Sequence, residues 1–104
     1  MNRHLESIPY EGLKNGTHLD IEVYYSKGGY SFFGGSYERR GFYISVVPVT
    51  RGGGMVSTTL FSGVKQLILE VGRYSDKQFN KAVEMSASMK DALISHVLEK
   101  ERAA

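Results

Sequence analysis

The sequence predicts an α+β fold, a four-stranded antiparallel sheet followed by two helices packed on one face (ββββαα). Three observations lead there. Around Asn15-Gly16, apolar and polar residues alternate with a period of two, as a half-buried antiparallel pair requires. Ten of the twelve glycines, both prolines and ten of the twelve aromatics precede Ser62, a composition of strands and turns. Beyond Ser62 the chain turns to helix formers at helical spacing. At 104 residues the chain is one domain, 1–104, with a sheet part over 1–62 and a helical part over 63–104.

The first hairpin centres on Asn15-Gly16, a pair suited to a type I′ turn because both residues tolerate positive φ. Pairing outward from Lys14 and Thr17 sets Gly12 opposite Leu19, Tyr10 opposite Ile21, and Ile8 opposite Val23, all on one face. Glu11, Leu13, His18, Asp20 and Glu22 take the other face. Pro9 lacks a donor and assigns this first strand to an edge. The next strand is Gly41–Thr50, with Phe42, Ile44 and Val46 on one side and Tyr43, Ser45 and Val47 on the other; Pro48 is expected to end its ladder or to face a free edge. A glycine turn, Arg51 to Met55, leads to a fourth strand over Met55–Ser62. Ser62 can cap a first helix, whose stripe is Val64, Leu67, Ile68 and Val71 and whose end is near Gly72. Ser75 with Gln78 then forms a capping box for a second helix running to about Glu101. Phe79, Ala82, Val83, Met89, Leu93 and Val97 form its apolar side, weakened by Ser86 and Ser88.

Composition narrows the chemistry. A formal net charge of +2 neither demands a nucleic-acid partner nor suits a bulk-acidic DNA mimic. The absence of cysteine removes disulfides, thiol nucleophiles and thiolate metal sites, and makes the cytoplasm the expected compartment. No apolar run approaches the ~20 residues of a membrane-spanning helix, and the opening MNRHLESIPYEG lacks a signal-peptide core. His4, His18 and His96 are scattered without metal-ligand spacing. Neither KGGYSFFGG nor TRGGGM has the spacing and the following helix of a phosphate loop. Ser62, in FSGVK, lacks the first glycine of a nucleophile elbow and is accounted for as a cap. Asp20, Glu22 and Glu11 read as a solvated strand face rather than a glycosidase pair. The expectation is a protein without catalytic residues, metal or cofactor.

What is unusual lies between Tyr24 and Arg51. This segment holds Tyr24, Tyr25, Tyr30, Phe32, Phe33, Tyr37, Phe42 and Tyr43, with Lys27, Arg39, Arg40 and Arg51 set against the single acid Glu38. Glycine pairs Gly28-Gly29 and Gly34-Gly35 bracket the run YSFF. Two accounts fit. The run is a hairpin extension folded over the sheet, or it is an adaptable arm whose rings and arginines contact a partner. The number of rings and the scarcity of acids favour the contact surface. Its partner-binding residues are then Tyr30, Phe32, Phe33, Tyr37, Arg39, Arg40 and Arg51. A nucleic-acid version would stack bases on rings such as Tyr24 and place Lys27, Arg39, Arg40 and Arg51 on phosphates, against the repulsion of Asp20 and Glu22 on the face of Tyr24. Met85 and Met89 on the last helix offer a possible homodimer face.

The run YYSKGGYSFFGGSYERRGFYISVVPV, followed by FSGVKQLILEVGRYSDK, resembles small accessory proteins of bacterial plasmids, conjugative elements and phages, over roughly residues 21–77. That resemblance implies a genetic setting, in which small proteins act by binding. Some are anti-CRISPR proteins that occlude a Cas effector, and others manage single-stranded DNA. The strand order, with rings and cations in the strands, is also similar to the PC4-like single-stranded DNA-binding dimers. The expected function is therefore a non-enzymatic inhibitor of host defence that targets a protein or ribonucleoprotein effector. The alternative is a single-stranded DNA-binding dimer.

Overall fold

The computed structural model describes residues 2–11, 16–30, 37–52, 55–58 and 63–103. Among the described residues, seven strands and two helices follow in chain order: β1 Asn2–Pro9, β2 His18–Ser26, β3 Gly29–Tyr30, β4 Tyr37–Glu38, β5 Gly41–Gly52, β6 Met55–Thr58, β7 Val64–Glu70, α1 Asp76–Ser86 and α2 Lys90–Ala103. The expected class holds, an antiparallel sheet followed by two helices that pack against it. The main sheet runs β1-β2-β5-β6, with β7 also paired to β5, and β3-β4 form a separate two-stranded ribbon.

Strand β5 is the spine. Residues His18–Ser26 of β2 pair with Val49–Gly41 along one of its edges, while β7 pairs with Gly41–Val46 and β6 with Val49–Gly52. Leu19, Ile21, Val23, Phe42, Ile44 and Val46 are fully buried on the face toward the helices, where they meet Phe79, Ala82, Leu93, Ile94 and Val97. Tyr25, Phe42, Tyr74 and Phe79 close one end of this core as a ring cluster, with neighbouring centroids 5.4–6.0 Å apart. Strand β1 is tied to the helices from its edge. The Arg3 guanidinium lies 5.3 Å from the Phe79 ring centre, and Lys90 Nζ sits 3.0 Å from Glu6 Oε2.

Several elements differ from the sequence-based expectation. Val64–Glu70 is not the first helix but a strand. A bulge explains why its pattern misleads: Leu67 pairs with Tyr43 and Leu69 with Phe42, so the register slips by one residue at Ile68. Tyr43 and Phe42 face opposite sides of the sheet, and so do Leu67 and Leu69. The break in period two leaves an apolar spacing that imitates a helical stripe. Ser62, the cap expected for that helix, lies outside the described residues.

The second expected helix is two helices. Ser86 Oγ donates to the Val83 carbonyl at 2.6 Å and Ser88 Oγ to the Met85 carbonyl at 2.9 Å. Amides 87, 88 and 89 bond three residues back instead of four, at 3.1–3.3 Å, which tightens and ends α1 before α2 begins at Lys90. The start of α1 is as expected: Ser75 Oγ accepts from the Gln78 amide at 3.1 Å and donates to Gln78 Oε1 at 3.2 Å.

The first hairpin keeps its faces but changes register. Ile8 pairs with Leu19 rather than Val23, a shift of four residues, and a second slip falls between His4 and Glu6. An even shift returns each side chain to the same face, so the alternation alone could not choose between the two registers. Gly16 is used differently as well. Its Thr17 neighbour donates to the Val49 carbonyl at 2.9 Å, and a Cβ on Gly16 would stand 2.7 Å from that oxygen. Asn15 lies outside the described residues. Pro9 does occupy an edge strand, as expected. Pro48 does not end β5: it pairs with Leu19 and sits between the last described β7 pair, Val46–Val64, and the first described β6 pair, Val49–Thr58. The missing donor of Pro48 falls in that gap, because Val49 turns its carbonyl toward β2 and adjacent residues alternate.

Phe42→Ala is expected to remove about 3–5 kcal/mol, a large part of the ~5–15 kcal/mol total of a domain this size. Ser75→Ala is expected to remove about 1 kcal/mol by uncapping α1. Urea unfolding followed by circular dichroism measures both, and a Phe42→Ala protein with an unchanged midpoint would contradict the assigned core.

Candidate functional site at the base of the arm

The last pair between β2 and β5 is Ser26–Gly41, and the chain between them leaves the sheet as an arm. Gly28 and Gly29 set its direction. Both have positive φ, 82° and 113°, which glycine adopts without a steric penalty. Gly28 also lies where a Cβ would come within 2.9 Å of the Glu38 carbonyl oxygen, and its amide donates to Ser26 Oγ at 3.1 Å. The returning leg then pairs Gly29 with Glu38 and Tyr30 with Tyr37. The glycine-bracketed segment is thus a hairpin extension at its base. Phe32 and Phe33 lie outside the described residues, as do the side chains of Tyr30 and Arg51.

The aromatic segment divides by face. Phe42 is core and Tyr25 packs against it. Tyr24 and Tyr43 lie on the opposite face of the sheet, stacked with centroids 5.6 Å apart and planes 16° from parallel. Their hydroxyls are engaged: Tyr24 donates to Glu38 Oε1 at 3.2 Å, and Tyr43 donates to the Arg39 carbonyl at 2.6 Å. Lys65 Nζ reaches the same Glu38 oxygen at 3.1 Å and lies 5.9 Å from the Tyr43 ring centre. Burial, reinforced by the Glu38 carboxylate, pushes the phenol of Tyr24 well above its ordinary ionisation range. Burial followed by the same carboxylate pushes Tyr43 in the same direction.

Three of the expected partner-binding residues converge. Tyr37, Arg39 and Arg40 line one open recess of about 360 Å³ with Glu70, Val71 and Gly72. Strand β4 delivers Tyr37, which is 68% exposed, and the short link from β4 to β5 delivers the two arginines. The other wall is the end of β7 and its exit toward α1, held in place by the Val71 amide donating to the Arg40 carbonyl at 3.3 Å. Arg40 also acts as a staple. Its Nε donates to the Lys27 carbonyl and its Nη1 to the Gly72 carbonyl, each at 3.1 Å, so one side chain joins both legs of the arm to the β7–α1 link. Arg39 Nη1 stands 3.6 Å from Glu70 Oε2, with the two side chains 67% and 61% exposed. An ion pair this open contributes little, about 0–1 kcal/mol.

Of the residues expected for single strands, Lys27 is exposed where the arm leaves the sheet, and the side chain of Arg51 lies outside the described residues. Tyr24 is stacked and bonded, Arg39 faces Glu70, and Arg40 gives its Nε and Nη1 to backbone carbonyls. The sheet face beyond Tyr24 carries Asp20 and Glu22, which border a small hollow with Ser45, Val47 and Val49. Ser7 donates to Asp20 there at 2.6 Å, and His4 lies 3.6 Å from Glu22. Among the described residues no group of three metal-ligating side chains forms, and no helix is long and apolar enough to cross a membrane.

Sequence reasoning missed Glu70, Val71 and Gly72 because it assigned them to the end of a helix. The bulged pairing of β7 with β5 sets Glu70 opposite Gly41 and so brings its carboxylate beside Arg39. The chain matches no family model, no curated protein and no solved structure.

The tyrosine directions fix an alkaline response. Unfolded tyrosines ionise near pH ~10, whereas Tyr24 and Tyr43 in the fold hold their protons to higher pH. The stabilisation this linkage supplies is therefore complete below about pH 10 and is lost as pH rises beyond it, because the unfolded chain releases protons first. Thermal melts across this range, with tyrosinate absorbance followed in parallel, should show a shallower alkaline decline in Tyr24→Phe than in the parent chain. Equal slopes would mean that Tyr24 ionises normally in the fold.

Proposed function

We propose that this chain is a non-enzymatic binding protein that docks a partner protein at the base of its arm, with Tyr37 as the anchor and Arg39 and Arg40 flanking it. The observation that carries this reading is the exposed Tyr37 ring in the wall of a recess between two arginines. A large, stiff ring beside planar guanidinium donors is the kind of grouping from which protein interfaces draw most of their affinity. Arg40 supports the reading in a second way. By tying the arm to the β7–α1 link it holds the recess in shape before a partner arrives, and a preformed site spends less ordering entropy on binding. In the setting implied by the sequence resemblance, such docking would serve to occlude a host defence effector, as anti-CRISPR proteins do.

The interleaving of acids with the cations favours protein over nucleic acid as the partner. Glu38 and Glu70 sit among Lys65, Arg39 and Arg40, and a polyphosphate chain would meet these carboxylates along its path. A protein surface can place its own charges to suit both signs.

Affinity capture from bacterial lysate, divided into nuclease-treated and untreated halves, tests the reading. A protein retained after nuclease treatment, and reduced at least tenfold by Tyr37→Ala in a chain that still folds, is the expected result. Recovery of nucleic acid alone, lost on nuclease treatment, or capture indifferent to Tyr37→Ala, would overturn it.

A further inference from the structure

Building on that docking reading, we infer that the recess accepts a carboxylate side chain, so that the partner presents an acidic segment, with an aspartate or glutamate directed between Arg39 and Arg40. The two guanidiniums differ in a way that creates this preference. Arg40 spends its Nε and one terminal nitrogen on the Lys27 and Gly72 carbonyls, which fixes the plane of the group without neutralising its charge. Backbone carbonyls carry only partial charge, so Arg40 remains a positioned cation in need of an anion. Arg39 does have an acid, Glu70, but at 3.6 Å and mostly in water. That contact is weak enough for an incoming carboxylate to replace it at little expense.

The remaining walls suit a side chain rather than a polyanion. Val71 borders the recess while its side chain belongs to the core, and Tyr37 supplies an exposed ring. Gly72 leaves its side of the recess open, for a Cβ there would meet no other atom within 4 Å. Glu70 lies inside the recess and Glu38 is on the adjoining face, 3.1 Å from Lys65. A single carboxylate with neutral flanks can enter between the arginines and avoid both. A phosphodiester chain, charged at every residue, cannot.

Glu70 makes the inference directional. It competes with the ligand for Arg39, so removing its charge should strengthen acidic binding and weaken basic binding. The experiment uses the full chain, labelled with 15N, and two probes: a capped octapeptide alternating Glu with Ser, and the same peptide with Lys in place of Glu. The Arg39 and Arg40 Nε–H signals and the Gly72 amide are followed in NMR titrations. The expected result is saturable shifts with the Glu peptide only, an affinity raised about three- to tenfold in Glu70→Gln, and a loss of at least fivefold in Arg39→Gln. Both substitutions are at exposed positions, so the fold is retained, whereas Arg40 is left intact because its staple holds the arm. Three results would overturn the inference: no saturable shift at these groups, shifts of equal size with the Lys peptide, or displacement of the Glu peptide from them by oligo(dT). Any of these could occur while Tyr37→Ala still abolished protein capture, in which case the docking reading stands and only the acidic partner is wrong.

Discussion

Everything in this molecule hangs on β5 being paired along both edges. Twelve residues, Gly41 to Gly52, give one edge to β2 and share the other between β7 and β6. This doubly paired strand also supplies Phe42, Ile44 and Val46, the middle of the core on which α1 and α2 rest. Its first residue must be glycine-small, since a Cβ on Gly41 would overlap the Leu69 carbonyl oxygen. That close approach draws the end of β7 against the start of β5. The same approach sets Glu70 beside Arg39 and Gly72 beside Arg40. The recess therefore forms where the central strand is gripped at one end.

The parts of the fold legible in the sequence are those where one physical rule acts alone. Alternation along Leu19, Ile21 and Val23 and along Phe42, Ile44 and Val46 reads directly as one buried face, and all six residues are fully buried. The Ser75–Gln78 box reads as a helix start because its hydrogen bonds are local. Illegible parts are those where a local pattern is overridden by a distant contact. The bulge at Ile68 is set by pairing with Phe42 and Tyr43, more than twenty residues away, and it converts a strand into an apparent helical stripe. Register in the first hairpin is ambiguous to any even shift, and contact of Gly16 with Val49 is what the turn propensity of Asn15-Gly16 could not foresee. The serine pair 86 and 88 carried a visible signal, a weakened apolar side, whose cause is hydroxyls taking backbone carbonyls.

The candidate site was legible in composition but not in partition. Counting rings and cations between Tyr24 and Arg51 treats them as one surface, whereas the sheet sorts them by parity. Tyr25 and Phe42 go to the core, and Tyr24 and Tyr43 go to a stacked and hydrogen-bonded pair. Tyr37, Arg39 and Arg40 lie beyond the end of the β2–β5 ladder, in the arm and its return to the sheet, so they escape that sorting and meet at the recess. The last ladder pair, Ser26–Gly41, separates Tyr24, Tyr25, Phe42 and Tyr43, which the sheet holds, from the exposed Tyr37.

Charge in this region is arranged rather than accumulated. Four basic residues against one acid between Tyr24 and Arg51 suggest a cationic patch, yet Glu70 arrives from β7 to face Arg39, and Glu38 holds Lys65. Lys27, Arg39, Arg40, Arg51 and Lys65 still outnumber Glu38 and Glu70, so the region stays positive and the acids set short-range preferences within it. Arg40 is a cation fixed by carbonyls that leave its charge intact. Fixing that side chain in the folded chain means that a ligand need not order it on arrival, and the same two bonds also hold the arm to the body. Rigidity of the arm and readiness of the recess are thus one property of one residue, and a change that loosens Arg40 must loosen both.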